Sequence, residues 1–164
     1  MTIQQQEVLF IEELNDLDDW FSQYEYLLTL AAELSPIDPS KKIDSYRIPG
    51  CQSGVWLVLE HDSTQRVHVQ LDSDSLILKG ILAIIVMLFD HRSDDEILHF
   101  HPVFIQKTAL KDQVSTDRFQ GIQSVIRIIQ AYAAGTPWPS AKQEQEIGGK
   151  PNLLFLLLIF NSHC

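Results

Sequence analysis

The sequence predicts an α+β fold: a small antiparallel sheet of about three strands packed against helices. Three observations predict it. Two strand-like runs, 55–59 and 67–71, stand next to each other in mid-chain rather than alternating with helices. Helix-like apolar stripes flank them on both sides. Of the 164 residues, 45% are hydrophobic and 21% charged, enough apolar surface for one buried core.

The elements follow in order. Residues 5–13 (QQEVLFIEE) form a short helix. Leu17, Trp20, Phe21, Tyr24, Leu27, Leu28 and Ala31 recur at steps of 3, 1, 3, 3, 1 and 3, one apolar stripe on a helix from Leu17 to about Leu34. Asn15 or Asp16 is its expected N-cap. Ser35-Pro36 ends it, because the residue before a proline is pushed out of the α region. Residues 35–47 read as a polar connector, and 43–48 can add a third strand. Val55–Leu59 (VWLVL) is apolar throughout, as in a strand covered on both faces. Val67, Val69 and Leu71 alternate with Arg66, His68 and Gln70, as in a half-buried strand. The polar residues 60–64 join the two as an antiparallel hairpin.

Asp72-Ser73-Asp74 supplies capping chemistry for a helix over 75–90. Between Leu76 and Phe89 only Lys79 and Gly80 interrupt the apolar residues. That run is shorter than the roughly 20 residues of a membrane span, so it reads as a buried central helix. Gly80 allows a close backbone approach. Ser93 and Glu96 have capping-box spacing and open another short helix. After a loop at His99–Pro102, a long helix runs from about Ser115 to Ala134, with Phe119, Ile122, Ile126, Ile129 and Ala133 on one face. Gly135, Pro137 and Pro139 stop it.

The chain divides into a domain over 1–139 and a linker with a short apolar tail over 140–164. In the tail, Leu153–Phe160 (LLFLLLIF) is too short to span a bilayer and reads as an accessory segment outside the core. The net charge is −10, and it is uneven: residues 1–40 hold nine acids and no Lys or Arg. Such a surface repels phosphate backbones and argues against nucleic-acid binding. Either it is a solvated face that aids solubility, or it steers the protein toward a basic partner. No signal peptide opens the chain, so a reducing cytosol is the expected compartment and Cys51 is expected to stay a thiol. Two cysteines, 51 and 164, exclude a disulfide framework.

The stretch that carries chemistry is Arg47-Ile48-Pro49-Gly50-Cys51-Gln52-Ser53-Gly54-Val55-Trp56-Leu57. Pro49 fixes its own φ, and Gly50 permits a turn that a side chain would forbid. Cys51 is thereby set at a loop tip directly before an apolar strand. Backbone N–H groups and Ser53 there would favour a sulfur anion. On the residues alone, Cys51 is either a small buried hydrophobe or a reactive thiol.

The segment Pro49–Trp56 resembles the G-C-x-S-x-V-W signature of the SufE family. Asp72-Ser73-Asp74 followed by Lys79-Gly80 resembles its S-D-x-x-x-x-K-G helix start, and Arg118 with Gly121 its R-x-x-G. The resemblance runs from about residue 7 to 134. It implies an α+β fold shared with iron–sulfur scaffold proteins of the IscU type. It implies a protein that accepts sulfane sulfur from a PLP-dependent cysteine desulfurase, stimulates that enzyme, and passes the sulfur to an iron–sulfur scaffold. By position the persulfide carrier is Cys51, and no cofactor of the chain's own is implied. Such a carrier is an accessory to another enzyme's turnover rather than a stand-alone enzyme.

Supporting roles are open at this level. Asp74 either caps its helix or sets the Cys51 loop. Arg118 either pairs with a carboxylate such as Asp74 or contacts the partner. Gln52 and Ser53 either hydrogen-bond the loop or touch the desulfurase, and Trp56 is expected in the core. A pure iron–sulfur scaffold is disfavoured, because a single central cysteine lacks the ligands. A cysteine-dependent hydrolase, which needs a histidine near Cys51, and a non-catalytic binding module are the alternatives. His99 and His101 read as ordinary loop residues, and His61, His68 and His91 as scattered exposed ones. No metal site is expected.

Overall fold

The computed structural model describes residues 1–139. The expected linker and apolar tail over 140–164 lie outside the described residues. The fold is α+β, with six α-helices and one antiparallel sheet in the order β1-β2-β3 among the described residues.

Helix α1 (Ile3–Asn15) begins ahead of the apolar pattern because Thr2 and Gln5 cap each other. Gln5 N–H donates to Thr2 Oγ1 at 3.1 Å, and Thr2 N–H donates to Gln5 Oε1 at 2.9 Å. Helix α2 (Trp20–Glu33) starts later than the stripe suggested, with Asp19 as N-cap rather than Asn15 or Asp16. The reason is local. Asn15 is still inside α1 and Asp16 closes it with helical backbone (φ −73°, ψ −14°), whereas an N-cap takes extended backbone, as Asp19 does (φ −137°, ψ 161°). Phe21 consequently faces outward and is 69% exposed.

The third strand is not at 43–48. Asp44–Tyr46 forms a single 3-10 turn, in which Tyr46 N–H donates to Ile43 O and Arg47 N–H to Asp44 O, and the bridge to Trp56 is made by Arg47. Strands β1 (Val55–His61) and β2 (Arg66–Ser73) form the expected hairpin, with Leu57 opposite Leu71. The third strand is instead the two-residue β3 (Arg92–Ser93), which pairs with the start of β2.

Helix α3 (Leu76–Phe89) is the centre of the core and packs on both α2 and β2. A Cβ at Gly80 would lie 2.5 Å from the Leu27 carbonyl oxygen, so glycine is what lets α2 and α3 approach this closely. Its N-cap is Ser75, not a residue of the 72–74 triplet. The short α4 (Asp94–Leu98) carries the expected Ser93/Glu96 capping box. A one-turn α5 (Leu110–Gln113), unmarked by any apolar period, precedes α6 (Thr116–Ala133), which Ser115 caps. The free edge of β1 is covered: Ile48 N–H donates to Val55 O, and the Trp138 indole N–H donates to Leu57 O, each at 2.8 Å. Among the described residues, no helix is long and apolar enough to cross a membrane.

Candidate functional site

Residues 49–54 form a loop whose two ends are tied together. The Ile48–Val55 hydrogen bond closes its base, and Ile48 is buried in the core beneath it. Gly50 has φ +80°, a conformation that a side chain at that position would strain. At the other end Gly54 is held three ways. Its N–H donates to Asp74 Oδ1 at 2.9 Å, and its carbonyl accepts from Ser73 Oγ at 2.8 Å and from Asp74 N–H at 3.2 Å. A Cβ at Gly54 would lie 2.4 Å from the Trp56 ring and 2.8 Å from Asp74 Oδ2. The Asp74 carboxylate thus bonds the end of the cysteine loop at Gly54, and Ser75 takes the capping role that the sequence offered to Asp74.

Cys51 is half-buried and packs against the edge of the core. Its sulfur seats on α6: a Cβ at Gly121 would lie 2.8 Å from Cys51 Sγ. The thiol faces a cleft of about 340 Å³. Cys51, Gln52 and Ser53 form one wall, and Leu78 contributes from α3. Arg118 and Gly121 of α6 line it with Ser115 and Asp117. The fold thus brings together residues 70 positions apart, in sequence patches that show no periodic relation. Arg118 does not pair with Asp74 among the described residues: the Asp74 carboxylate is engaged at Gly54, and Arg118 lines the cleft.

Trp56 departs from expectation. It is half-buried on the outer face of the hairpin, with Lys42 Nζ 4.7 Å and the Arg47 guanidinium carbon 5.7 Å from its ring centroid. Asp72 joins this cluster, 3.0 Å from Lys42 Nζ and 3.3 Å from Lys79 Nζ. Partial burial raises the Asp72 pKa, but the Lys42 and Ser73 hydrogen bonds and the Lys79 charge outweigh it and hold the carboxyl below its usual range. Leu76, 60% exposed, stands at the end of α3 that Asp74 ties to the loop.

In chemical terms, the arrangement holds one sulfur at the wall of a cleft that Arg118 and Asp117 also line, with open volume beside it. No histidine lines the cleft among the described residues. The family described as "SufE: Fe-S metabolism associated domain" matches residues 9–133. The chain belongs to the SufE family. It therefore has a role in Fe-S metabolism. The fold is similar to the solution structure of a hypothetical protein from Thermus thermophilus, with a TM-score of 0.63 and 18% identity over 82% of this chain and 96% of that one.

The SufE motifs acquire physical reasons here. The glycine of R-x-x-G makes room for the sulfur, and that of K-G makes room for a neighbouring helix. Elsewhere, His99 and His101 have separate local partners, the Asp95 carbonyl and Gln130. His68 and His91, scattered in the sequence, are stacked face to face with centroids 5.5 Å apart. The sequence pattern carries no signal for that pairing: His68 lies within β2, and His91 follows the C-cap of α3.

Proposed function

We propose that the protein is a sulfur acceptor and carrier that takes sulfane sulfur from a PLP-dependent cysteine desulfurase as a Cys51 persulfide. It stimulates the desulfurase by clearing its persulfide, and delivers the sulfur to an iron–sulfur scaffold. The reaction is an accessory transpersulfuration in the cytoplasm, not a stand-alone catalysis. The observation that carries this reading is the seat of Cys51 Sγ against Gly121 beside an open cleft, in a chain with the SufE motifs.

The Cys51 thiolate attacks the outer sulfur of the desulfurase persulfide. A new S–S bond forms at Cys51 as the old one breaks, and the desulfurase cysteine leaves as a thiolate. Sulfur moves with no net oxidation or reduction, by the logic of thiol–disulfide exchange. The step needs no general base beyond what ionises Cys51, which suits a cleft that no histidine lines among the described residues and speaks against the hydrolase alternative. The bound sulfur extends the side chain by one atom, and the cleft has volume for it. Arg118 in the cleft wall favours the anionic persulfide, and Gln52, exposed at the loop tip, is placed to meet the donor.

The test is to incubate the protein with a cysteine desulfurase and L-cysteine and weigh it intact. The expected result is gain of one sulfur atom, lost in Cys51→Ser and kept in Cys164→Ser. Absence of any adduct, with Cys51 still reactive to iodoacetamide, would leave a binding module of the same fold.

A further inference from the structure

We propose that His68, Asp90 and His91 form a binding site for a divalent transition-metal ion of the Zn²⁺ class, at the end of the hairpin away from Cys51. One ligand atom from each residue lies within 4.8 Å of the other two. His68 Nδ1 is 2.8 Å from Asp90 Oδ1, and His91 Nε2 is 3.4 Å from Asp90 Oδ2. A tetrahedral ion with bonds of about 2.0–2.1 Å needs ligand atoms roughly 3.3 Å apart, so the three close on an ion with small side-chain movements. The ion takes the place of the hydrogen between His68 and Asp90. Two imidazoles and a carboxylate select Zn²⁺, Co²⁺, Ni²⁺ or Cu²⁺ over Mg²⁺ and Ca²⁺.

Each ligand is held from behind. Asp90 Oδ1 accepts the Val69 N–H at 2.9 Å, which fixes the carboxylate on β2. His91 donates its N–H to the Val67 carbonyl at 2.8 Å, with the backbone at φ +58°. On its far side His91 Nδ1 lies 3.5 Å from Asp62 Oδ2. The other Asp62 oxygen accepts the N–H groups of Thr64 and Arg66 in the hairpin turn, so that carboxylate is pinned too. A neutral imidazole carries one hydrogen, yet His91 faces a carboxylate with each nitrogen. A hydrogen on Nδ1, on the side of Asp62, leaves the Nε2 lone pair on the side of Asp90, and a cation between them resolves the contact. The carboxylate behind a metal-binding histidine fixes tautomer and orientation in this way. A protonated His91 would resolve the same contact without a metal, and the experiment separates the two. The His91 ring is 64% exposed, which leaves water access to the remaining coordination position.

The site is remote from sulfur chemistry. His68 stands opposite Glu60 in the ladder, five residues along β1 from Val55, roughly 16 Å at about 3.3 Å per residue. A bound ion would clip together the hairpin turn, β2 and the end of α3.

The experiment uses the full chain carrying Cys51→Ser and Cys164→Ser, so that no thiolate competes for metal. Co²⁺ is titrated in and followed by its visible absorption, and Zn²⁺ is then used to displace it. The expected result is one Co²⁺ per chain, displaced by Zn²⁺ but not by excess Mg²⁺. His91→Asn, which tolerates the left-handed backbone, and His68→Gln should each weaken binding at least about ten-fold, and His99→Gln should not. If a variant fails to fold, long-range ¹H–¹⁵N spectra of the unsubstituted rings decide the matter, with the His91 Nε2 resonance shifting on Zn²⁺ addition. No saturable binding at about 100 µM metal, a protonated His91 ring without a metal-induced shift, or binding untouched by both substitutions would overturn the site.

Discussion

Gly121→Ala separates the seat of the sulfur from the stability of the helix that forms it. The new methyl carbon would lie 2.8 Å from Cys51 Sγ. That is about 1 Å inside the roughly 3.5–4.0 Å at which nonbonded heavy atoms attract. Overpacking of this kind costs about 1–3 kcal/mol when nothing can yield. Here something can: the clash is with Sγ, while Cys51 Cβ is at an ordinary 3.9 Å. Rotation of Cys51 about χ1 relieves the contact at the cost of one rotamer change. Against that cost, alanine is better than glycine inside α6 by about 1 kcal/mol. The two nearly cancel, so the expected melting temperature stays within about 3 °C of the parent. The thiol, however, is turned out of its seat. In a Cys164→Ser background, iodoacetamide should alkylate Cys51 several-fold faster, and a persulfide formed on it should be reduced faster by dithiothreitol. A large loss of stability with unchanged alkylation would refute the reasoning, because it would mean that the helix moved and the sulfur did not.

Gly80→Ala should behave oppositely: its Cβ would meet the Leu27 backbone at 2.5–2.8 Å, which no rotamer change relieves, so stability should fall by about 2 kcal/mol or more in denaturant melts. Asp74→Ala removes the acceptor of the Gly54 N–H and should cost about 1 kcal/mol, read most directly as faster amide exchange at Gly54 with β1 protection retained. Trp138→Phe deletes the donor to Leu57 O and should lower stability by about 1 kcal/mol while leaving Cys51 alkylation unchanged. For acid, the sign follows from depressed carboxyls. Asp72 is held below its usual range as described above, and Glu96 by hydrogen bonds from Ser93, with smaller help from Arg92 and Arg66. Their stabilisation is complete above the unfolded carboxyl pKa of about 4 and is lost as pH falls through the lower folded values. Melting temperature should therefore drop between about pH 5 and pH 2, and less steeply in Asp72→Asn.

Sequence and tertiary structure determined different things here. Local chemistry is written where it acts. The alternation of β2, the apolar run of α3, the Ser93/Glu96 box and the Pro49-Gly50 turn depend on near neighbours, and all stand where the pattern placed them. Gly80 could be read as a close approach because a lone glycine inside an apolar helix has few other uses. Where near neighbours compete, the pattern misleads. Residues 16 and 17 finish α1 before α2 begins, and 44–46 close a 3-10 turn instead of joining the sheet. The loop singled out Cys51 as a candidate, and only the resemblance to SufE sequences pointed to a carrier role for it. That Gly121 is its seat, that Asp74 holds its loop rather than a helix, and that His68 and His91 face one carboxylate were decided only by folding. Each of these joins residues about 20 to 70 positions apart, through contacts that exist only once the hairpin, α3 and α6 are packed. A one-dimensional pattern records the faces an element must bury. It does not record what those faces meet.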